Sequence, residues 1–150
     1  TVICGRDADK LAQAVETIRA AVGEVAHVHA HAVDVADYAD CDRFVARLLE
    51  EHGAVDVLVN NAGRSIRRGI EASFERFHDF ERTMQLNYFG ALRVTMGLLP
   101  AMAAKRAGQV INISSIGVLT NAPRFSAYVA SKAALEAWTR CAASEYADVG

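Results

Sequence analysis

The chain has 150 residues, a length at which a folded domain buries roughly 70% of its unfolded surface, so we expect one domain. Its 16 Lys and Arg residues against 18 Asp and Glu residues give a net charge of −2, which offers no basic footprint for nucleic acid or an anionic membrane and favours a small-molecule partner. A hydrophobic fraction of 52% with only 2 prolines excludes a disordered or collagen-like chain.

Strand and helix patterns alternate along the chain. Short apolar runs predict strands at residues 2–4, 25–35, 55–59 and 109–113. Apolar residues at helical spacing predict helices from Asp7 to Gly23, from Asp37 to Gly53, from about Phe77 to Ala107 and from Ser126 to about Asp148. Pro100 lacks a backbone donor, so it should bend or interrupt the third of these helices.

This alternation predicts an α/β fold with a doubly wound parallel sheet, because helices between strands act as right-handed crossovers. Such sheets bind ligands at the carboxyl ends of their strands. Here the ends carry Gly5 and Arg6, then Asp34 and Val35, then the run from Asn60 to Gly63, and finally Ser114 and Ser115. These four polar or glycine-rich segments form the candidate site.

The cysteines and the ends of the chain bear on its location. Cys4, Cys41 and Cys141 form no CxxC pair, which argues against a disulfide framework or a zinc site and favours a reducing compartment. No apolar run approaches the roughly 18 residues of a membrane span, and the start lacks the pattern of a signal peptide, so we expect a cytoplasmic protein. The chain begins on a strand pattern and ends in a helical one, so we expect a fragment of a longer protein.

The strongest local pattern is Tyr128-Val129-Ala130-Ser131-Lys132. Its i,i+4 spacing puts a phenol and an ammonium on one helix face, where the cation favours the phenolate and suits the phenol to proton transfer. By itself the pair could equally be a surface Tyr and Lys. Ser115 strengthens the catalytic interpretation, because it ends a strand where its hydroxyl could bond a substrate oxygen beside the phenol.

These residues resemble the short-chain dehydrogenase/reductase family, which comprises NAD(P)-dependent enzymes on a Rossmann-like sheet. The resemblance covers essentially all 150 residues. Its motifs stand in the family's order and spacing: Asp34-Val35, Asn60 to Gly63, Asn87 within the run 84–90, the run 108–115, and Tyr128 to Lys132.

The resemblance implies a catalytic tetrad of Asn87, Ser115, Tyr128 and Lys132. Tyr128 would act as general acid in reduction while Ser115 polarises the carbonyl. Lys132 would hold the nicotinamide ribose and tune Tyr128, and Asn87 would interrupt its helix and support a water next to Lys132. From the residues alone, Asn87 could equally be a satisfied core amide.

The resemblance also assigns cofactor contacts. Asp34 would accept a hydrogen bond from the adenine amino group, with Val35 packed against the ring. The stretch containing Asn60, Ala62 and Gly63 would line the adenine ribose and stabilise the sheet, although Gly63 also fits a simple turn glycine.

The cofactor is predicted to be NADP(H). Gly5 stands where an acidic residue would bind the ribose 2′-hydroxyl of NAD, and the following Arg6 suits a 2′-phosphate. The alternative is that Arg6 is a solvated turn residue.

One element of the family is absent from the printed sequence. The glycine-rich phosphate loop follows the family's first strand, which would precede Thr1. That strand lies at the centre of a Rossmann-like sheet, so we expect the sheet of this chain to be split in two. The part after Gly150 that completes the sheet and supplies the substrate lid is missing too. We therefore expect residues 1–150 to be part of one NAD(P)-binding domain and not to fold or turn over alone.

Two basic clusters remain. His27, His29 and His31 alternate and could in principle bind a metal, but without an acid or Cys partner at ligand spacing we predict a plain strand face and no metal site. Arg64, Arg67 and Arg68 follow a strand end. They are a solvated loop by default, though three guanidiniums could meet the phosphates of a bulky anionic substrate.

Three longer stretches, residues 60–68, 77–90 and 112–118, resemble bacterial fatty acyl-CoA reductases that form aldehydes. This resemblance implies an NADPH-dependent reductase of a lipid carbonyl, most specifically of a long-chain acyl-CoA, and a homo-oligomer. Two alternatives stay open. One is a ketone or secondary-alcohol dehydrogenase of the 3-oxoacyl or sterol type, and the other is a non-catalytic NADP-binding sensor or scaffold.

Overall fold

The chain forms short strands that alternate with helices, as the sequence pattern predicts. A computed structural model describes residues 1–23 and 27–149. Its strands and helices are β1 (Val2–Gly5), α1 (Ala8–Val22), β2 (His29–Ala32), α2 (Tyr38–His52), β3 (Val57–Asn60), α3 (His78–Met84), α4 (Ala91–Lys105), β4 (Gln109–Asn112), α5 (Gly117–Thr120) and α6 (Ser126–Glu145). A 3₁₀ turn at Glu71–Ser73 precedes α3, and a π-helical segment at Gln85–Gly90 joins α3 to α4.

The strands pair in parallel, as predicted. β1 pairs with β2, with Ile3 opposite Ala30, and β3 pairs with β4, with Leu58 opposite Val110. Over the described residues these are two separate two-stranded sheets. The predicted division of the sheet is therefore confirmed.

Helices α2 and α4 hold the two strand pairs together. Their buried side chains form one apolar cluster with Val33, which directly follows β2. Val2 of β1 and Leu58 of β3 pack against this cluster from different strand pairs. The helices cross closely at Gly97, where a Cβ would lie 2.8 Å from Val45 Cγ1. The core thus sets the relative position of the two sets of strand ends.

The predicted helix starts at Asp7 and Asp37 are confirmed. The Asp7 carboxylate accepts from the backbone N–H of Lys10, and the Asp37 carboxylate accepts from Ala39 and Asp40. Each cap satisfies donors that the first helical turn leaves free. At the other end of α2, Gly53 adopts a φ of 72°, a left-handed value that favours glycine.

Several predicted boundaries are wrong. The strand predicted at 25–35 is only His29–Ala32, so His27 lies outside it, and residues 24–26 lie outside the described part of the chain. The helix predicted from Phe77 to Ala107 is divided by the π-helical segment. The helix predicted to reach Asp148 ends at Glu145, where the backbone turns.

Of the two effects predicted for Pro100, a bend or an interruption, the interruption does not occur. Helix α4 continues through Pro100 to Lys105. Leu98 and Met102, on either side of Pro100, are buried. Packing of these side chains offsets the backbone hydrogen bond that proline cannot make.

No helix within residues 1–23 and 27–149 combines the length and the apolar character needed to cross a membrane.

Candidate active site

The carboxyl ends of paired strands place the predicted cofactor residues in neighbouring positions. Arg6 follows β1 and Asp34 follows β2, and their side chains approach to 3.9 Å between Arg6 Nη1 and Asp34 Oδ2. This distance exceeds that of a charge-assisted hydrogen bond, and the Arg6 side chain is 69% exposed. Arg6 therefore keeps its donors available for a ligand beside Asp34.

The loop that carries Asp34 is fixed by its own hydrogen bonds. Asp34 accepts from the Ala36 N–H through its carboxylate, and its backbone N–H donates to Asp40. Gln85, in the π-helical segment, donates to Ala36 O at 2.9 Å. In addition, a Cβ on Gly90 would lie 2.1 Å from Val35 O. The π-helical segment therefore positions the loop after β2 that carries Asp34 and Val35.

Lys132 lies almost fully buried on α6, with 3% of its surface exposed. Its Nζ donates to Ile113 O at 2.7 Å, just after β4. Burial lowers the pKa of this ammonium. An ammonium carries three hydrogens, so two further donors remain for a ligand. A Cβ built on Gly63 would lie 3.5 Å from Lys132 Nζ, which brings the end of β3 to the same point.

Tyr128 lies one turn before Lys132 on the same helix, as the sequence predicts. Ser115 lies beyond the end of β4, two residues after Ile113, and its Oγ accepts from the Gly117 N–H at 3.1 Å. The hydrogen of that hydroxyl is then left to donate. At Gly117 a Cβ would lie 3.2 Å from Val129 and 3.3 Å from Ser115 Oγ, so α5 holds Ser115 close to the part of α6 that carries Tyr128.

Asn87 lies fully buried in the π-helical segment, which confirms that the α-helical ladder is interrupted there. Its Oδ1 accepts from the Arg64 N–H, and its Nδ2 donates to Arg64 O and to Ser131 Oγ. Ser131 in turn donates to Tyr128 O at 2.7 Å. Both amide hydrogens of Asn87 are thus donated within the protein, and the side chain ties the loop after β3 to the helix of Tyr128 and Lys132.

Asn60 donates both of its side-chain hydrogens to other side chains of the protein. Its Nδ2 donates to Thr95 Oγ1 and to Asn112 Oδ1, both at 2.8 Å, and Asn112 donates to Thr139. This network joins β3 and β4 to α4 and α6. Ala62 and Gly63 follow β3 in an exposed loop. The sheet-stabilising part of the prediction for Asn60 therefore has a direct structural basis.

Sequence reasoning did not single out Ser131 or Gln85. Ser131 stands inside the Tyr128 to Lys132 motif, but its burial and its bond to Asn87 depend on how α6 packs on the π-helical segment. Gln85 lies at the start of a π-helical segment, which no spacing in the sequence predicts. Both residues could therefore be identified as part of the site only from the tertiary packing.

The two basic clusters are arranged differently from one another. His29 and His31 lie on one face of β2. Over the described residues no group of His, Cys, Asp and Glu could hold a metal ion. Arg67 and Arg68 line a cavity of about 630 Å³ together with Arg124, which the sequence did not group with them. Arg64 instead uses its backbone to hold Asn87.

The donor set at the strand ends fits a nicotinamide dinucleotide. Lys132 offers buried ammonium donors of the kind that suit ribose hydroxyls, and Arg6 offers an exposed guanidinium that suits a phosphate. The phenol of Tyr128 lies on the same helix as Lys132, and the hydroxyl of Ser115 lies in the segment packed against that helix. The chemistry within reach of such a set is proton transfer to or from an oxygen.

Known proteins are similar to this chain in sequence. Over 112 residues, or 75% of the chain, it is 60% identical to a fatty acyl-CoA reductase of Acinetobacter baylyi, of which it covers 38%. A fatty acyl-CoA reductase of Mycobacterium tuberculosis is 47% identical over 118 residues, or 78% of the chain and 40% of that protein. The chain thus spans about two fifths of the length of these curated relatives.

A solved structure shows the same fold. It is a metagenomic short-chain oxidoreductase in complex with NADP, with a TM-score of 0.89 and 30% identity, and the match covers 99% of this chain and 64% of that one. The family model described as short chain dehydrogenase matches residues 1–150. With the strand ends, the buried lysine and the parallel strand pairs arranged as described, the chain belongs to the short-chain dehydrogenase/reductase family.

Proposed function

We propose that this protein is an NADPH-dependent reductase that converts a long-chain fatty acyl-CoA to a fatty aldehyde. The observation that carries the chemistry is the bond from Lys132 Nζ to Ile113 O, because it fixes α6 at the strand end that carries Ser115. The substrate class is supported by 60% identity to a fatty acyl-CoA reductase. We also propose that residues 1–150 form part of a single nicotinamide-binding domain.

Tyr128 is the proton donor in this proposal. The Ser115 hydroxyl, whose oxygen already accepts from Gly117, donates to the substrate carbonyl oxygen and orients it. Lys132 lies one turn after Tyr128 on α6, so its ammonium is on the same helix face as the phenol that donates the proton. Asn87 acts through Arg64 and Ser131, whose positions it fixes, so it is a positioning residue.

The cofactor, when bound, supplies a hydride to the carbonyl carbon. The carbonyl oxygen takes a proton from Tyr128, so that the thioester becomes a hemithioacetal. Its carbon–sulfur bond then breaks, the hydroxyl proton is lost, and the sulfur leaves as the thiol of coenzyme A. The balance is one hydride and one proton consumed for one aldehyde and one thiol formed.

The cofactor contacts follow from the strand ends. Arg6 pairs with the 2′-phosphate that distinguishes NADPH, and Gly5 places no carboxylate against it. Asp34 and Val35 hold the adenine, while Ala62 and Gly63 border the riboses next to Asn60. Lys132 donates to the nicotinamide ribose with the hydrogens that Ile113 leaves free.

The experiment is an assay of the whole protein with NADPH against matched long-chain substrates, namely an acyl-CoA, an aldehyde and a ketone. Carbonyl products are trapped with a hydrazine and identified by mass. We expect the trapped aldehyde from acyl-CoA, with little turnover of the ketone. The Tyr128→Phe variant serves as the control for adventitious reduction.

Two results would contradict the proposal. Reduction of the ketone without any aldehyde from acyl-CoA would assign the protein to ketone or secondary-alcohol chemistry. Binding of NADPH without turnover of any substrate would favour a sensor or scaffold.

A further inference from the structure

We propose that the cavity lined by Arg67, Arg68 and Arg124, here called the arginine cavity, binds the phosphates of coenzyme A. This inference rests on the proposed function, because the acyl-CoA substrate is what brings a phosphate-rich group to this side of the protein. The cavity measures about 630 Å³ and is completed by residues 69–72. That volume lies within the roughly 300–1,000 Å³ typical of small-molecule sites.

The charge of the cavity favours an anion. The residues that line it include three arginines and one acidic residue, Glu71. Arg67 and Arg124 are exposed, and neither forms an ion pair within the described residues. Their guanidiniums therefore offer planar, bidentate donors of the kind that bind phosphate.

Arg68 is held in place rather than free. Its Nε donates to Asp79 Oδ2 at 2.9 Å, and Arg76 Nε approaches the same oxygen at 3.3 Å. Asp79 is buried, with 5% of its surface exposed. Burial alone would raise the pKa of this carboxyl, but the bonds from Arg68 and Arg76 outweigh it and lower the pKa. The carboxylate thus favours its charged form and anchors Arg68, which lines the cavity.

The backbone joins the two arms of the cavity. The Arg68 N–H donates to Arg124 O at 2.7 Å. Arg124 adopts a φ of 71°, a left-handed conformation that residues other than glycine adopt rarely. This bond ties the loop after β3 to the turn before α6. The arginines of both segments are therefore held around one cavity, because the two segments are joined to each other.

The residues of the arginine cavity are separated from the reacting groups by only a few residues of the chain. Arg124 precedes Tyr128 by four residues, and Arg67 follows Gly63 by four residues. Four extended residues reach at most about 14 Å. A Cβ on Gly63 would lie 3.5 Å from Lys132 Nζ. A thioester placed beside Tyr128 would then extend its pantetheine arm toward the cavity, with the phosphates at the far end of that arm.

The test measures binding rather than turnover, by calorimetry with the whole protein. The probes are coenzyme A, which carries phosphates, and pantetheine, which carries none. The variant is Arg67→Gln combined with Arg124→Gln, which removes two exposed side chains and leaves the Arg68 to Asp79 pair intact. The matched control is Arg82→Gln, an exposed arginine on α3 that does not line the cavity.

We expect the dissociation constant of coenzyme A to rise by about tenfold or more in the double variant, and pantetheine binding and the control to remain unchanged. The corresponding double lysine variant should recover part of the loss, because it keeps the charge but not the fork of donors. Unchanged coenzyme A affinity in the double variant, or equal wild-type affinity for coenzyme A and pantetheine, would overturn the assignment.

The two proposals can fail separately. A protein that binds coenzyme A through these arginines but forms no aldehyde from acyl-CoA keeps the arginine cavity and loses the reductase proposal. A protein that forms aldehyde while the double variant binds coenzyme A normally keeps the reductase and loses the cavity.

Discussion

The side chain of Lys132 carries a charge into an almost fully buried position, where its assigned partner is a carbonyl rather than a carboxylate. Burying a charge is unfavourable unless it is paired and hydrogen-bonded, and the lowered pKa of Lys132 reflects that burial. A group placed this way at a strand end is a candidate functional residue. Ligand hydroxyls would accept hydrogen bonds from the Lys132 ammonium hydrogens that are not donated to Ile113.

At the same scale, Tyr128→Phe should abolish turnover while leaving NADPH binding nearly intact. The substitution removes the transferable proton and little apolar volume, and loss of general acid catalysis typically lowers the rate by roughly 10²–10⁴. Steady-state kinetics and NADPH titration of the whole protein check this prediction. Wild-type activity in the variant would show that the phenol is structural.

The proposed preference for NADPH depends on one residue, Arg6. Arg6 is largely exposed and only loosely paired with Asp34, so it is free to meet a 2′-phosphate. We expect NADPH to bind more tightly than NADH by about tenfold, and Arg6→Ala to remove most of that difference. Dissociation constants for both cofactors in both proteins provide the measurement. Equal affinities in the wild type would contradict the assignment.

The positions of some site residues could be predicted from the sequence, and those of others could not. Tyr128, Lys132 and Ser115 are predictable because helical spacing and strand ends depend on local pattern. Arg124 is not, because its place in the arginine cavity follows from a left-handed backbone and a bond to Arg68 N. Arg64 shares the predicted arginine cluster, yet its backbone is engaged with Asn87.

At the scale of elements, the π-helical segment Gln85–Gly90 organises both halves of the site. It carries Asn87 toward α6 and Gln85 toward the loop after β2. Segments of this kind are rare and frequently occur at functional sites. Apolar periodicity predicted a helical stretch from Phe77 to Ala107 without this segment, because it cannot show a change from i→i−4 to i→i−5 hydrogen bonding, and only the family resemblance implied an interruption at Asn87.

Gly90→Ala tests that organisation. A Cβ there would lie 2.1 Å from Val35 O, so the backbone must shift. We expect the free energy of unfolding to fall by about 1–3 kcal/mol, as for other overpacked sites, and NADPH binding to weaken because the loop with Asp34 moves. Urea denaturation and cofactor titration measure both effects.

Gly69→Ala is the control for this substitution, because a Cβ at Gly69 meets nothing within 4 Å. Equal stability of the two alanine variants would contradict the close contact between Gly90 and Val35.

At the scale of the whole molecule, α2 and α4 hold two separate strand pairs together through one apolar cluster. The order of elements and the parallel pairing were predictable from alternation, and the division of the sheet from the family resemblance, which places a first strand before Thr1. The exact ends were not, as β2 shows, because histidine and alanine at 29–32 alternate no more clearly than their neighbours. Register depends on packing against α1 and α2 rather than on local pattern.

His31, in the strand pair of β1 and β2, should make the free energy of unfolding depend on pH. His31 packs beside Phe44, and burial, followed by the nearby charge of Arg47, lowers its pKa. Below about pH 6.5 the unfolded chain takes up a proton that folded His31 resists, so stability falls until the pH drops below the folded pKa. Urea midpoints measured between about pH 7.5 and 5.5 should show this loss.

His31→Phe keeps a ring beside Phe44 and removes the titrating group, so its urea midpoint should change less with pH than that of the wild type. His27→Gln, at an exposed position outside β2, is the control and should follow the wild type. An identical pH dependence in all three proteins would contradict the assigned role of His31.

If this site reduces an acyl thioester, each turnover must release a thiol. NADPH absorbance and a thiol-reactive dye are followed together while the whole protein acts on a long-chain acyl-CoA. We expect one thiol to be released for each NADPH oxidised, because hydride delivery to the thioester is followed by loss of coenzyme A. Oxidation of NADPH by a carbonyl substrate without thiol release from any acyl-CoA would contradict this expectation.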